Sequence, residues 1–307
     1  MKTERLRGVL APVATPFTRE LAPDTGRFVR HCKWLLEHGC SGLAVFGTNS
    51  EANSLSAEER MMLLEELVQA GVPAEKLMPG TGCCALTDSV RLTAHAVKLG
   101  CAGALMLPPF YYKGVPDEGL FRNFSEVIDR VADERLQVYL YHIPPVAQVP
   151  ISLGLIERLL KRYPKIVAGI KASSGDWANT KAVLDEFAAQ GFEVFAGSEV
   201  FLLRNMRAGG VGCITAGANV NPHGIDKVYR SWNTPEAEAL QGSIDAVRKI
   251  LQNQVSMIPA LKATIAHYAA DADWNRVRPP LVELTAEQRS EMIRELGEVG
   301  FQMPGIR

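Results

Sequence analysis

The chain has 307 residues, enough for one large domain or two ordinary ones. Its 47% hydrophobic and 22% charged residues are ordinary for a globular protein, and 33 basic and 34 acidic residues are interspersed to a net charge of −1. There is therefore no basic block to attract nucleic acid, and no apolar run reaches the roughly 18–20 residues that span a bilayer.

The opening stretch, MKTERLRGVLAPVATPF, carries basic residues, but two prolines break its apolar part and it has no small-residue cleavage site. It reads as a first strand rather than a signal peptide. Short apolar runs then recur at 8–13, 42–46, 77–80, 103–108, 137–142, 167–172, 193–197 and 211–216. Amphipathic segments lie between them. In LSAEERMMLLEELVQAG, Ser56 stands at the N-cap, Glu59 at the capping-box position and Gly71 at the stop. In LTDSVRLTAHAVKLG, Leu92, Ala96, Val97 and Leu99 share one face and Gly100 ends the helix.

Runs apolar on both sides and joined through helices imply a parallel sheet. Eight such units over roughly 220 residues fit a closed (β/α)₈ TIM barrel better than an open sheet. Beyond them the sequence predicts helices at 234–251, 255–269 and 285–298, with a Pro-rich break at 278–280 and no strands. The expected organisation is a barrel over 1–222 carrying the site. The C-terminal helices of 223–307 form an extension packed on the barrel within the same structural unit.

Six cysteines, at 32, 40, 83, 84, 101 and 213, have no CxxC spacing and read as reduced structural thiols of a cytoplasmic protein. His31 and His38, seven helical residues apart, would lie roughly 10.5 Å from each other, too far to share an ion. No metal and no cofactor is expected. GTGCCA, with Gly80, Gly82 and Ala85, fits a dinucleotide fingerprint, but the next strand ends Leu105, Met106, Leu107, Pro108 without the acid that would hold a ribose. It reads as a close-packed turn.

Functional groups of a barrel gather at the C-terminal ends of its strands. Those ends carry GTNSE (Gly47 to Glu51), PPFYYKG, Tyr141, Lys171 and ITAGAN. Lys171 ends an apolar run, VAGIKA, and would point into the barrel mouth. Burial there disfavours the charged amine, and the free base is the nucleophile that attacks a carbonyl carbon to give an iminium. The alternative is a lysine paired with a buried carboxylate, for which the strand ends supply Glu51 and Glu199. Tyr141 offers a phenol that passes protons to a second hydroxyl, and Thr48 with Asn49 offers a hydroxyl and turn N–H groups suited to a carboxylate.

These motifs resemble the dihydrodipicolinate synthase / N-acetylneuraminate lyase family of class I aldolases. The resemblance runs from GVLAPVATPF through GTNSEANSLSAEER, PGTGCCALTDSVRLTAHAVKLG, LPPFYYKGVPDEGLFRNF and YHIPPVAQVP to GIKASSGD and GCITAGANVNP. It implies a Schiff-base lysine at Lys171, a proton-shuttling tyrosine at Tyr141 and a carboxylate-binding turn at Thr48–Asn49. It also implies that Tyr111, in preference to Tyr112, reaches into a neighbouring subunit's site. Further implications are a homotetramer built as a dimer of dimers, no metal in the chemistry, and pyruvate as the keto acid. Ser173 stands where the sialic-acid lyases have a threonine. Gly197 and Ile214, at the last two strand ends, complete the expected substrate-binding set.

Two departures bear on function. The family turn G-[TS]-T-G-E is here Gly47-Thr48-Asn49-Ser50-Glu51, with an amide for the second hydroxyl and serine for the second glycine. The arginine that follows the tyrosine turn in true synthases is missing, since PPVAQVPI holds no basic residue. The expected function is a lyase that joins Lys171 to pyruvate or a 2-keto acid and makes or breaks the adjacent carbon–carbon bond, or dehydrates. Its second substrate is an aldehyde. The alternative is a true dihydrodipicolinate (4-hydroxy-tetrahydrodipicolinate) synthase using aspartate semialdehyde, a partner the missing arginine disfavours unless Gln148 or Lys113 compensates. A non-catalytic barrel that binds a keto acid is the reading from a different class.

Overall fold

Seven parallel strands form the frame of the computed structural model, which describes residues 5–306. The first four residues of the opening stretch, read above as part of a strand, lie outside the described residues. The strands are β1 (Gly8–Ala11), β2 (Gly42–Leu43), β3 (Ala104–Met106), β4 (Val138–His142), β5 (Val167–Ala172), β6 (Glu193–Ala196) and β7 (Gly212–Ile214). They lie in the order β2-β1-β7-β6-β5-β4-β3. Every residue of β1, β4 and β5 is buried, as parallel strands covered on both faces require. This is an α/β, TIM-barrel-like fold.

The run at 77–80, expected as a full strand, pairs only through isolated bridges, Leu43 with Leu77 and Gly80 with Leu105. Pro79 has no N–H to give a ladder, so the run is held by separate bonds that do not build a continuous ladder. The Met78 and Gly80 N–H groups donate to Leu43 O and Val45 O at 2.8 and 2.7 Å, and Leu105 N–H donates to Pro79 O at 2.9 Å. Those bonds join β2 to β3 across the gap. The glycines of GTGCCA serve this packing: a side-chain carbon on Gly80 would strike the Phe46 carbonyl, and one on Gly82 the Leu107 backbone.

Alternation along the strands divides the core. Leu10, Tyr139, Tyr141, Phe195 and Ile214 pack together inside the barrel, whereas Val138, Leu140, Ile170 and Ala172 pack outward against helices. A bulge sets the phase where β4 meets β5: Val138 pairs with Val167, but the next residue, Tyr139, pairs with Gly169. From there Tyr141 stands directly opposite Lys171.

The connecting helices begin with α1 (Thr25–Glu37), α2 (Ala57–Gln69) and α3 (Leu86–Leu99). Ser56 and Glu59 form the expected capping box of α2, and Gly100 ends α3 at φ +83°, a left-handed conformation that glycine adopts without strain. Then follow α4 (Asp117–Val131), α5 (Pro144–Ala147), α6 (Leu153–Arg162), α7 (Trp177–Phe187), α8 (Leu202–Arg207) and α9 (Pro222–Arg230). The last three are α10 (Ala237–Gln252), α11 (Met257–Tyr268) and α12 (Ala286–Glu298), close to the predicted bounds. Val247, Leu251, Leu261 and Leu296 from these helices share one apolar cluster with Val9, Phe17 and Phe28. Among the described residues no helix is long and apolar enough to cross a membrane.

The N-terminal end of the barrel is closed by a polar pair. Tyr139 OH donates to Glu193 Oε2 at 2.6 Å, and Arg7 Nε lies 3.3 Å from Glu193 Oε1. Tyr139→Phe would leave one buried carboxylate oxygen without its donor. We expect urea titration to show a loss of about 1–3 kcal/mol in unfolding free energy. Turnover should be unchanged, because this end is remote from the strand ends that carry the site.

Candidate active site

Lys171 is 2% exposed, and β5 places it where the barrel opens. Because parallel pairing sets Tyr141 opposite it, the two side chains emerge on one face, with Nζ 4.2 Å from the centre of the Tyr141 ring. The phenol oxygen of Tyr141 lies 3.1 Å from Thr48 Oγ1. A lysine, a phenol and a hydroxyl thus follow one another along the rim. They line a cavity of about 360 Å³ together with Asn49, Ser173 and Gly197.

The Thr48–Ser50 turn is a single 3₁₀ turn. Ser50, one of the departures in its motif, is fully buried and structural. Its Oγ accepts from Gly47 N–H at 3.2 Å, and its carbonyl accepts from Thr15 Oγ1 at 2.7 Å. Glu51 leaves the turn at φ +55°, in the left-handed region. Asn49, the other departure, faces the cavity.

Ser173 also lines the cavity, and its Oγ is buried with no hydrogen-bond partner among the described residues. Gly197 N–H donates to Ala172 O at 2.7 Å. A side chain on Gly197 would run into the Ser173 side chain, so the strand ends approach this closely only with glycine there. Ile214 is placed differently from the expectation. It is fully buried in the barrel interior, and Ala216, two residues on, lines the cavity instead. Tyr111 lies outside the cavity, 74% exposed and edge-on to Tyr112 with ring centres 5.4 Å apart.

The two carboxylates offered as partners for Lys171 are both matched elsewhere. Glu51 pairs with Lys262 of α11, a lysine with no exposed side chain, and also accepts Arg278 N–H at 2.9 Å. Glu199 Oε2 accepts from Arg248 of α10 at 3.0 Å and from Thr215 Oγ1. Among the described residues Lys171 has no salt bridge. Burial pulls the Lys262 ammonium below the usual lysine range, against the pull of Glu51. Lys262 and Arg278 also both lie over the Phe17 ring, 4.4 and 4.8 Å from its centre.

Neighbouring titratable groups are poor acids or bases. His142 is held below the usual histidine range by burial, and its Nδ1 accepts Ile151 N–H at 3.0 Å. Burial and the charge of Glu199 push the Cys213 thiol up, so it stays protonated. The expected missing cation is not supplied by Lys113, whose Nζ donates to Ala147 O at 2.8 Å and to Phe110 O.

Arg248 and the Ser256–Ile258 wall were not singled out from sequence, yet both line the cavity. In SIDAVRKIL nothing separates Arg248 from a surface arginine. Lys262 did leave a signal, as the lone charge in MIPALKATIA. Lys262→Met should cost about 3–5 kcal/mol in a denaturant titration, because it strands a buried carboxylate. Adding Glu51→Gln should recover a good part of that loss, and a double variant as unstable as the single would show that the pair is not coupled.

The sequence profile of the dihydrodipicolinate synthetase family matches residues 5–298. An uncharacterized DapA-like lyase of Chloroflexus aurantiacus is 33% identical over 285 residues, 92% of this chain and 93% of its own length. A 4-hydroxy-tetrahydrodipicolinate synthase of Methanococcoides burtonii is 29% identical over 95% of this chain and 98% of its own. Among solved structures, dihydrodipicolinate synthase from Agrobacterium tumefaciens superposes with a TM-score of 0.88 at 29% identity, covering 95% of this chain and 99% of that one. YagE of E. coli, a family member solved with pyruvate, has the same fold, with a TM-score of 0.87 at 23% identity over 96% of this chain and 99% of that one.

Proposed function

The chain belongs to the dihydrodipicolinate synthetase family, whose members are lyases, and from that premise we propose that it is a Schiff-base aldolase acting on pyruvate or a related 2-keto acid. The observation that carries this reading is the buried, unpaired amine of Lys171 beside a tyrosine that reaches a threonine hydroxyl. A lysine amine in its free-base form is the nucleophile that attacks a carbonyl carbon to give an iminium.

Nζ attacks C2 of the keto acid, and loss of water gives an iminium. The iminium draws electrons from the C3–H bond, a proton leaves C3, and an enamine results. The enamine carbon adds to the aldehyde carbonyl, whose oxygen takes up a proton. Water then attacks the iminium carbon and frees the lysine. Run backward, the same steps cleave the bond. Expulsion of hydroxide from the next carbon is the dehydrating variant.

Each proton transfer needs a carrier beside C2 and C3. Tyr141 takes that role, with Thr48 as the second hydroxyl of the relay. The N–H groups of Thr48 and Asn49, two residues of the cavity wall at the start of their turn, receive the carboxylate of the keto acid. Ser173 offers its hydroxyl from the same cavity wall.

A second reading, condensation of pyruvate with aspartate semialdehyde, draws support from the relatives named for that synthase. Against it stands the 144–151 segment, which holds no cation. Tyr111 and Tyr112 are read as an assembly contact, since two adjacent rings more than 70% exposed are a large apolar area to leave in water. Sedimentation should give a dimer or tetramer; a fully active monomer at nanomolar concentration would refute this part.

Borohydride added with pyruvate should inactivate the protein and leave the reduced pyruvate mass on Lys171, as read by peptide mass mapping. Label on another lysine, or label that survives Lys171→Ala, would overturn the mechanism. Tyr141→Phe should still bind the keto acid while turnover falls roughly 10²–10⁴-fold, the range for a lost general acid–base. Near-normal turnover would return Tyr141 to a packing role.

A further inference from the structure

We propose that Arg248 selects the second substrate by pairing with a carboxylate that this substrate carries. The inference rests on the aldolase reading and adds to it the chemical class of the aldehyde. Besides Lys171, Arg248 is the one charged side chain on the cavity wall among the described residues. It reaches the cavity from α10, outside the strand-end motifs, and its side chain is 15% exposed.

The donor inventory of its guanidinium is incomplete. One terminal nitrogen donates to Glu199 Oε2 at 3.0 Å and Nε donates to Gln252 Oε1 at 3.3 Å. The other terminal nitrogen has no acceptor among the described residues. Glu199, 2% exposed, is itself held by Thr215, and Gln241 fixes the backbone of Glu199 by donating to its carbonyl at 2.9 Å. Glu199 therefore orients the arginine and offsets its charge, while one terminal nitrogen of this cavity-lining side chain keeps its donors unused among the described residues. A planar fork of N–H groups matches a carboxylate in two places, which a hydroxyl or an alkyl group cannot reproduce.

The keto acid places its own carboxylate at the Thr48–Asn49 turn, so the second anion belongs to the aldehyde. The 144–151 segment offers it no cation and Lys113 is held by two carbonyls. The expectation that an acid-bearing aldehyde meets no cation weighed that segment and Lys113, and Arg248 changes it.

The test compares kcat/KM for succinic semialdehyde with kcat/KM for butanal, each with pyruvate, an acid and a neutral aldehyde of the same chain length. We expect the wild type to favour the acid, and that preference to fall roughly 10–100-fold in Arg248→Met combined with Glu199→Gln, the range for a lost hydrogen bond to a charged group. The paired change avoids stranding a buried carboxylate. Arg248→Lys, which keeps the charge but not the fork, should retain part of the preference. A structural role would slow both aldehydes equally and leave the ratio unmoved, and an unmoved ratio overturns the proposal. Glutarate, a diacid with no carbonyl to trap, gives a readout that needs no imine. Its Kd by calorimetry should weaken about tenfold in the paired variant, even if borohydride fails to fix pyruvate on Lys171. Failure of the trap would refute the aldolase reading, and an unchanged glutarate Kd would refute the role of Arg248.

Discussion

Two carboxylates are buried beside the barrel mouth, and each is neutralised by a cation from the C-terminal helices. Glu51 takes Lys262 of α11, and Glu199 takes Arg248 of α10. A buried carboxylate left alone would attract an amine, and Lys171 lines the same barrel mouth. Because both acids are already matched, neither is paired with Lys171. The helices that follow β7 thus supply the partners of both acids as well as covering one side of the site. The pairs are also anchors. Glu51 terminates the turn that carries Thr48 and Asn49, so holding its carboxylate holds the turn.

Register does the remaining work of alignment. One bulge between β4 and β5 places Tyr141 opposite Lys171, and the alternation of strands aims both inward. Shifting that register by one residue would send the lysine into the helix layer beside Ile170 and Ala172. Gly169 makes the bulge possible, since a side chain there would meet the Glu193 carbonyl and the Tyr139 ring. Stability at one end of the barrel and geometry at the other therefore both run through β4.

Much of this was legible in the sequence because it is local. Apolar runs separated by capped helices gave the barrel-like order, and a lysine, a tyrosine and a threonine at strand ends were placed on one rim. Pro79 was visible too, yet the sequence alone did not show that it reduces its run to single bridges. Ile214 was assigned to the site from its position at a strand end. Whether such a residue faces the cavity or the packed interior depends on strand twist, which one sequence does not carry. The pairs to Lys262 and Arg248 were beyond reach for a different reason. They join residues 211 and 49 positions apart, and no local pattern ties such partners together. Only the unusual lysine in an apolar helix hinted that a buried acid must exist for it.

The central claim is that Lys171 is free because its neighbouring acids are matched, and a crystal structure of the protein soaked with pyruvate tests it most directly. We expect continuous density from Lys171 Nζ to C2 of the keto acid, with the carboxylate on the Thr48–Asn49 turn. The Glu51–Lys262 and Glu199–Arg248 pairs should be intact in the same crystal. A structure in which Nζ instead lies in a salt bridge with Glu51 or Glu199, with no adduct, would contradict the account.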